Sequence, residues 1–207
     1  MLRRFAPAVT VALLLAGCGG NPAPTTTPPT EDTRATTSPP AGPAPRPTTA
    51  PPIADPLDLG PGYRYPCAAL TAGQQNRLGL RPRVAETADG SVGRCHWAKK
   101  DANHHYDYVL QLHVRSDALT DAYQNSNSRD ADGDPTWAVF EPREIRGLPA
   151  VVHASSARGD TCEVVVGVGP GQGVVLTGNT DPDPALCDRL VTAAGLVVDT
   201  VRRWAGV

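Results

Sequence analysis

The sequence predicts an α+β fold: an antiparallel sheet packed by N- and C-terminal helices, held by disulfides as a single domain. Three observations carry this expectation. In Tyr108-Val109-Leu110-Gln111-Leu112-His113-Val114, apolar residues at even positions alternate with Gln111 and His113, the period-two sign of a half-buried strand. Leu186, Leu190, Val191, Ala194, Val197, Val198 and Val201 fall on one face of a helix that closes the chain. Cys67, Cys95, Cys162 and Cys187 are spread through the same stretch, in a chain that begins with an export signal.

The elements follow in order. Thr71-Ala72-Gly73-Gln74 forms a capping box, in which Thr71 caps and Gln74 reaches back. That helix runs through Leu78 and stops at Gly79, a left-handed C′ position. Strands are expected around Val84, from Gly93 to Ala98 and from Tyr106 to Val114. Asp117 caps a helix through Tyr123. Further strands run from Trp137 to Phe140, Ala150 to His153, Cys162 to Val168 and Gly173 to Leu176. The last two form a hairpin over Gly169-Pro170-Gly171-Gln172. Asp183-Pro184 supplies a cap and a first-turn proline for the closing helix, which ends near Trp204. The helices are expected on one sheet face.

The N-terminus sets the address. Arg3 and Arg4 precede an apolar run from Phe5 to Ala16, and Leu14-Leu15-Ala16-Gly17-Cys18 is a lipobox. The run is too short to span a bilayer, which takes about twenty residues. Residues 1–17 are therefore read as a lipoprotein signal peptide, cut before Cys18, whose thiol takes the acyl chains. The expected location is the extracytoplasmic face of the cell membrane, reached through that lipid. Residues 18–61 are read as a disordered spacer of Pro, Thr and Ala, too poor in large apolar groups to offset an ordering cost of about 1–2 kcal/mol per residue. Its threonines beside prolines also suit O-glycosylation. Residues 62–207 form the globular α+β domain. The formal net charge of −2 argues against a nucleic-acid partner.

The four cysteines of the domain read as two disulfides, since an even number in an exported chain favours bridges. Three pairings exist. Strand-like flanks around Cys95 and Cys162, and helix starts at Cys67 and Cys187, favour Cys95–Cys162 and Cys67–Cys187. Each bridge would then close a loop of more than about fifty residues, worth about 4 kcal/mol in the chain-entropy model. A metal site is disfavoured because no Cys-x-x-Cys pair occurs.

Pro66-Cys67-Ala68-Ala69-Leu70-Thr71, Leu78-Gly79-Leu80, Cys95-His96-Trp97, Gly147-Leu148-Pro149-Ala150, Cys162-Glu163-Val164 and Asp183-Pro184-Ala185-Leu186-Cys187 occur in this order. With the lipobox, they resemble the actinobacterial lipoproteins grouped as domain of unknown function 3558. The resemblance implies a lipobox, a low-complexity spacer and one α+β domain with paired cysteines. It carries over no catalytic residues.

Catalytic chemistry finds little support. His104 and His105 fall on a turn, and neighbours on a strand point to opposite faces. His96 and His113 sit singly, so no metal set is expected. Asp130-Ala131-Asp132-Gly133-Asp134 has alternating carboxylates, but its glycine comes too early for a calcium loop and no Glu closes the register. Gly167-x-Gly169-x-Gly171-x-Gly173 lacks the Lys-Ser/Thr of a phosphate loop. There is no Gly-x-Ser-x-Gly elbow, and Ser155-Ser156 near His153 are only local neighbours. No enzyme activity and no cofactor are expected. Three function classes follow: a non-catalytic binding or interaction module for an envelope protein or ligand, a carrier of an apolar ligand, and an envelope hydrolase.

The lipid anchor rests on one thiol. Cys18→Ala is expected to leave an uncleaved or mislocalised precursor, and detergent-phase partitioning against the native protein measures this.

Overall fold

The computed structural model describes residues 44–60, 62–88, 90–99, 107–156, 160–180 and 183–207. Residues 1–43, which take in the expected signal peptide, Cys18 and most of the expected spacer, lie outside the described residues, as do His104 and His105. Seven strands form one antiparallel sheet: β1 (Leu80–Ala88), β2 (Val92–Lys99), β3 (Asp107–His113), β4 (Val139–Ile145), β5 (Leu148–Ala154), β6 (Thr161–Gly169) and β7 (Gln172–Asn179). Their spatial order is β1-β2-β3-β7-β6-β5-β4. The chain lays down one meander, crosses to the far edge through α2 (Ala118–Gln124), and returns as a second meander whose last strand pairs with β3.

Local chemistry explains the turns. Thr71 Oγ1 accepts from the Gln74 amide, and Gln74 Oε1 accepts from the Thr71 amide, closing the capping box of α1 (Ala72–Leu78). Gly79 follows in the left-handed region at φ 71°. Asp117 Oδ1 accepts from the Thr120 amide and caps α2. Arg146 and Gly147 both have positive φ, the geometry of a two-residue hairpin between β4 and β5. The β6–β7 hairpin turns over Pro170 and Gly171, as its sequence predicts.

The closing helix α3 (Leu186–Ala205) lies on one face of the sheet. Its Leu186, Leu190, Val197, Val198 and Val201 are fully buried with Leu110, Leu112, Val164, Val166 and Leu176 of the strands. Each such side chain contributes about 2 kcal/mol of hydrophobic stabilisation before entropy is counted. Gly178 allows the close approach: a Cβ there would come within 2.9 Å of Leu190 Cδ1. The start of α3 differs from expectation. Asp183 does not cap it; Asp183 Oδ1 accepts from the Ala185 amide in a preceding turn, and its carboxylate pairs with Arg189.

Two further differences bear on function. First, α2 does not join α3. Leu119 and Tyr123 pack on Val151, Val165 and Val175, which alternate with the residues that meet α3, so α2 covers the opposite face. Second, residues 44–60, read from the sequence as the end of the spacer, run across the domain as a strap. Leu57 and Leu59 are buried, and the Leu57 amide donates to the Val168 carbonyl. β4 also starts later than expected and runs through Glu141-Pro142-Arg143-Glu144. Charged residues and proline on an edge strand hide the period-two pattern and block further pairing.

The disulfides are Cys67–Cys95 and Cys162–Cys187, with Cα–Cα distances of 5.0 and 5.5 Å. The expected pairing Cys95–Cys162 and Cys67–Cys187 is therefore corrected. Cys95 is on β2 and Cys162 on β6, with β3 and β7 between them. Three strand spacings separate them by about 14 Å, and a bridge needs Cα atoms within about 7 Å. Each observed bridge instead ties a helical segment to the sheet: the 3-10 turn Pro66–Ala69 to β2, and α3 to β6.

The sequence separations of 28 and 25 correspond to about 3.5 kcal/mol per bridge in the chain-entropy model. Peptide mapping of the unreduced protein is expected to give these two pairs and no free thiol. Removing either bridge as a Cys→Ser pair is expected to cost about 2–4 kcal/mol in denaturant titration.

Candidate functional site

The face that α2 covers is only half covered, and polar side chains line the remainder. Strand register sets a row across six strands. His96 lies opposite Val109, Val109 opposite Thr177, Thr177 opposite Glu163, Glu163 opposite His153, and His153 opposite Phe140. Beside this row, Gln111 and His113 of β3 point the same way, because alternate residues share a face. Asp121 and Asn125 project from the C-terminal half of α2, and Trp137 enters from the connection to β4. Together they bound an open cleft of 290 Å³, whose apolar side includes Val165 and Val175.

At the cleft floor, His153 is 2% exposed. Its Nε2 lies 3.2 Å from Glu163 Oε1, a close contact that falls short of an aligned hydrogen bond. His153 Nδ1 is buried with no hydrogen-bond partner among the described residues. The Trp137 indole crosses the imidazole with centroids 4.0 Å apart and planes at 62°. Thr177 Oγ1 donates to Glu163 Oε2 at 2.9 Å. Burial pushes the Glu163 carboxyl up. The His153 contact and charge, the Thr177 hydroxyl and the His113 charge outweigh that and hold it below its ordinary 4.5. A carboxylate so placed stays ionised at neutral pH.

The strap braces the segment that carries Trp137. Arg46 Nη1 donates to the carbonyls of Ser126 at 3.2 Å and Trp137 at 2.8 Å, and the guanidinium lies 5.8 Å from the Phe140 ring centroid. Asn127 and Arg46 exchange two further hydrogen bonds, and Ser126 Oγ donates to the Pro47 carbonyl. A larger cavity of 370 Å³ beside this strap is lined by Ala44, Pro45 and Arg46 against the loop from Ser126 to Pro135. Its one buried-side cation, Arg46, is already committed to carbonyls. The cleft is the stronger candidate because its buried polar groups still have capacity.

The sequence candidates fare differently. Asp130 is used by its own turn, where Oδ1 accepts from the amides of Asp132 and Asp134. No group of three or more His, Cys, Asp or Glu poised for a metal occurs among the described residues. His113 lies at the cleft, with Nδ1 2.7 Å from Ser116 Oγ. His96 is half-buried on the same face in the polar row. Ser155 Oγ meets Thr161 Oγ1 at 2.8 Å, away from His153. Sequence reasoning passed over His153, Glu163, Gln111 and Trp137 as site residues. The available signal was period two: in Cys162-Glu163-Val164, the cysteine faces α3, so Glu163 must face the other side.

Fold and site define an antiparallel α+β domain that buries one sheet face and leaves a polar cleft on the other. The chain belongs to the family described as a protein of unknown function, DUF3558, whose model matches residues 13–200. No curated protein and no solved structure matches it.

The strengthened Glu163 acidity fixes a sign. Its ionised form is favoured in the folded state, so it adds stability above pH 4.5 that is lost as pH falls through the folded value. Glu163→Gln is expected to lower the melting temperature at neutral pH and to flatten the loss of stability below pH 4.5. Thermal melts across the acid range measure both effects.

Proposed function

We propose that the protein is a cell-envelope lipoprotein, anchored through Cys18, whose domain is a non-catalytic binding module. The half-covered sheet face, with buried His153 set against half-buried Glu163 at the floor of a 290 Å³ cleft, carries this reading. A buried imidazole nitrogen without a partner costs about 1–3 kcal/mol, so a site that retains one is suited to completion by a ligand. Concave sites with a few convergent polar groups are the usual place for small-molecule binding.

The anchor reading is supported by the lipobox Leu14-Leu15-Ala16-Gly17-Cys18. No described helix is long and apolar enough to cross a membrane. Residues 44–60 pack on the domain, where Arg46 bonds to Asn127 and to the Trp137 carbonyl.

The carrier alternative is weakened by the filled space under α3, where Leu186, Leu190 and Val197 meet the sheet with no exposed surface. The hydrolase alternative draws on the His113–Ser116 contact. Those residues are three apart on one turn, however, and Glu163, a carboxylate whose acidity the His113 charge strengthens, is already engaged by His153 and Thr177.

Photo-crosslinking in cells tests the binding reading. A benzophenone amino acid at Asn125, on the cleft, is expected to give adducts that Gln111→Trp abolishes by filling the space. The same probe at Thr192, on the outer face of α3, is expected to give none of them. Equal adducts from both positions would count against the cleft.

A further inference from the structure

We propose that the ligand of the cleft is a neutral carbohydrate, an assignment that rests on the binding reading above and narrows it. Three features point this way. The polar groups are of mixed sense: Gln111 and Asn125 each offer donors and an acceptor, His113 and His153 are imidazoles, and Asp121 and Glu163 accept. A hydroxyl both donates and accepts, so a row of hydroxyls can satisfy such a set, including the buried Nδ1 of His153 in either tautomer.

Charge narrows the class. No lysine or arginine is among the residues lining the cleft, whereas two carboxylates are. A phosphate, sulfate or uronate would meet Asp121 and Glu163, offset only by the imidazoles of His113 and His153, of which His153 is already set against Glu163. A cationic ligand fares little better at the floor, because Glu163 is already paired with His153 and accepts from Thr177. A neutral molecule with many hydroxyls meets neither obstacle.

Shape supplies the third argument. A pyranose ring has a rim of hydroxyls and two faces rich in C–H groups. The cleft has matching walls: the polar groups just named, and the half-buried Trp137 indole with the apolar surface of Val165 and Val175. An aromatic ring gives such a C–H face a large contact area at small entropic cost. The volume of 290 Å³ lies at the low end of the roughly 300–1,000 Å³ of small-molecule sites, which suits a short saccharide or one end of a longer one. The strap reinforces the wall, since Arg46 holds the Trp137 carbonyl.

The test uses the full chain in detergent, labelled with fluorotryptophan, and fluorine NMR; the Trp137 signal is assigned with Trp137→Phe. Probes are cellobiose, maltotriose, mannobiose and chitobiose, with digalacturonate as the anionic comparison. At least one neutral saccharide is expected to move the Trp137 signal in a saturable way. Trp137→Ala and the surface change Asn125→Ala are each expected to weaken that binding about tenfold or more. Asn125 is exposed, so its replacement keeps the test valid if Trp137→Ala folds poorly. Digalacturonate binding as tightly as the neutral sugars would overturn the assignment, as would saccharide binding that neither variant weakens. If no saccharide moves Trp137 while the Asn125 photoadducts still form in cells, the carbohydrate assignment fails and the cleft reading stands. If both fail, both are overturned.

Discussion

The backbone ladder between β3 and β7 joins two meanders that otherwise share no hydrogen bonds within the sheet. Leu110 lies opposite Leu176 and Leu112 opposite Val174 at the centre of the seven strands. These pairings bring distant parts of the chain together, so loop-closure entropy opposes them until side-chain burial compensates. The compensation comes chiefly from one face, where α3 seals Leu110, Leu112, Val164, Val166 and Leu176 from water. A sheet with only its centre paired would leave that apolar face exposed. The ladder and the helix therefore stabilise each other.

The same topology creates the site. To start the second meander at the far edge, the chain must cross the sheet after β3. The crossing carries α2 onto the face that α3 leaves open. A helix of seven residues is too short to cover seven strands. It seals Val151, Val165 and Val175 and stops, leaving the row through Thr177, Glu163 and His153 at its border. The border is where polar groups remain only partly removed from water, and where the electrostatic coupling of Glu163 with His153 is stronger than it would be on an open surface. The strap holds the neighbouring loop through the Arg46 guanidinium on the Ser126 and Trp137 carbonyls and the Ser126 hydroxyl on the Pro47 carbonyl, so the segment that leads to the N-terminus braces Trp137 from behind the cleft.

The bridges show how small loops can hold a layered domain. Each joins a helical element, one short and one long, to a strand on the α3 face, and each closes fewer residues than an end-to-end bridge would. What they fix is the contact between layers. The 3-10 turn at Pro66–Ala69 has too few residues to bury much by itself, and its bond to Cys95 ties it to the core. The other bridge sets the start of α3 over β6, beside the close approach of Leu186 and Leu190 to Gly178.

The sequence by itself determined what depends on neighbours along the chain. The Thr71–Gln74 capping box, Gly79 at a helix end, the Pro170-Gly171 turn and the apolar stripe of α3 are each set by a few adjacent residues or by a period, and each is found where the pattern puts it. The antiparallel class follows from the same local signals. Only tertiary structure decided what depends on strand order. Cys95 and Cys162 look alike in sequence as strand cysteines, but two intervening strands keep them apart. Gln111, His153 and Glu163 come from three strands and meet only because β3, β7, β6 and β5 lie side by side in a fixed register. Residues 44–60 have the composition of a spacer, and it is the fit of Leu57, Leu59 and Arg46 to the finished surface that makes them part of the domain. A period tells which residues share a face of one strand; which strands share that face is set by long-range pairing, and no local pattern encodes it.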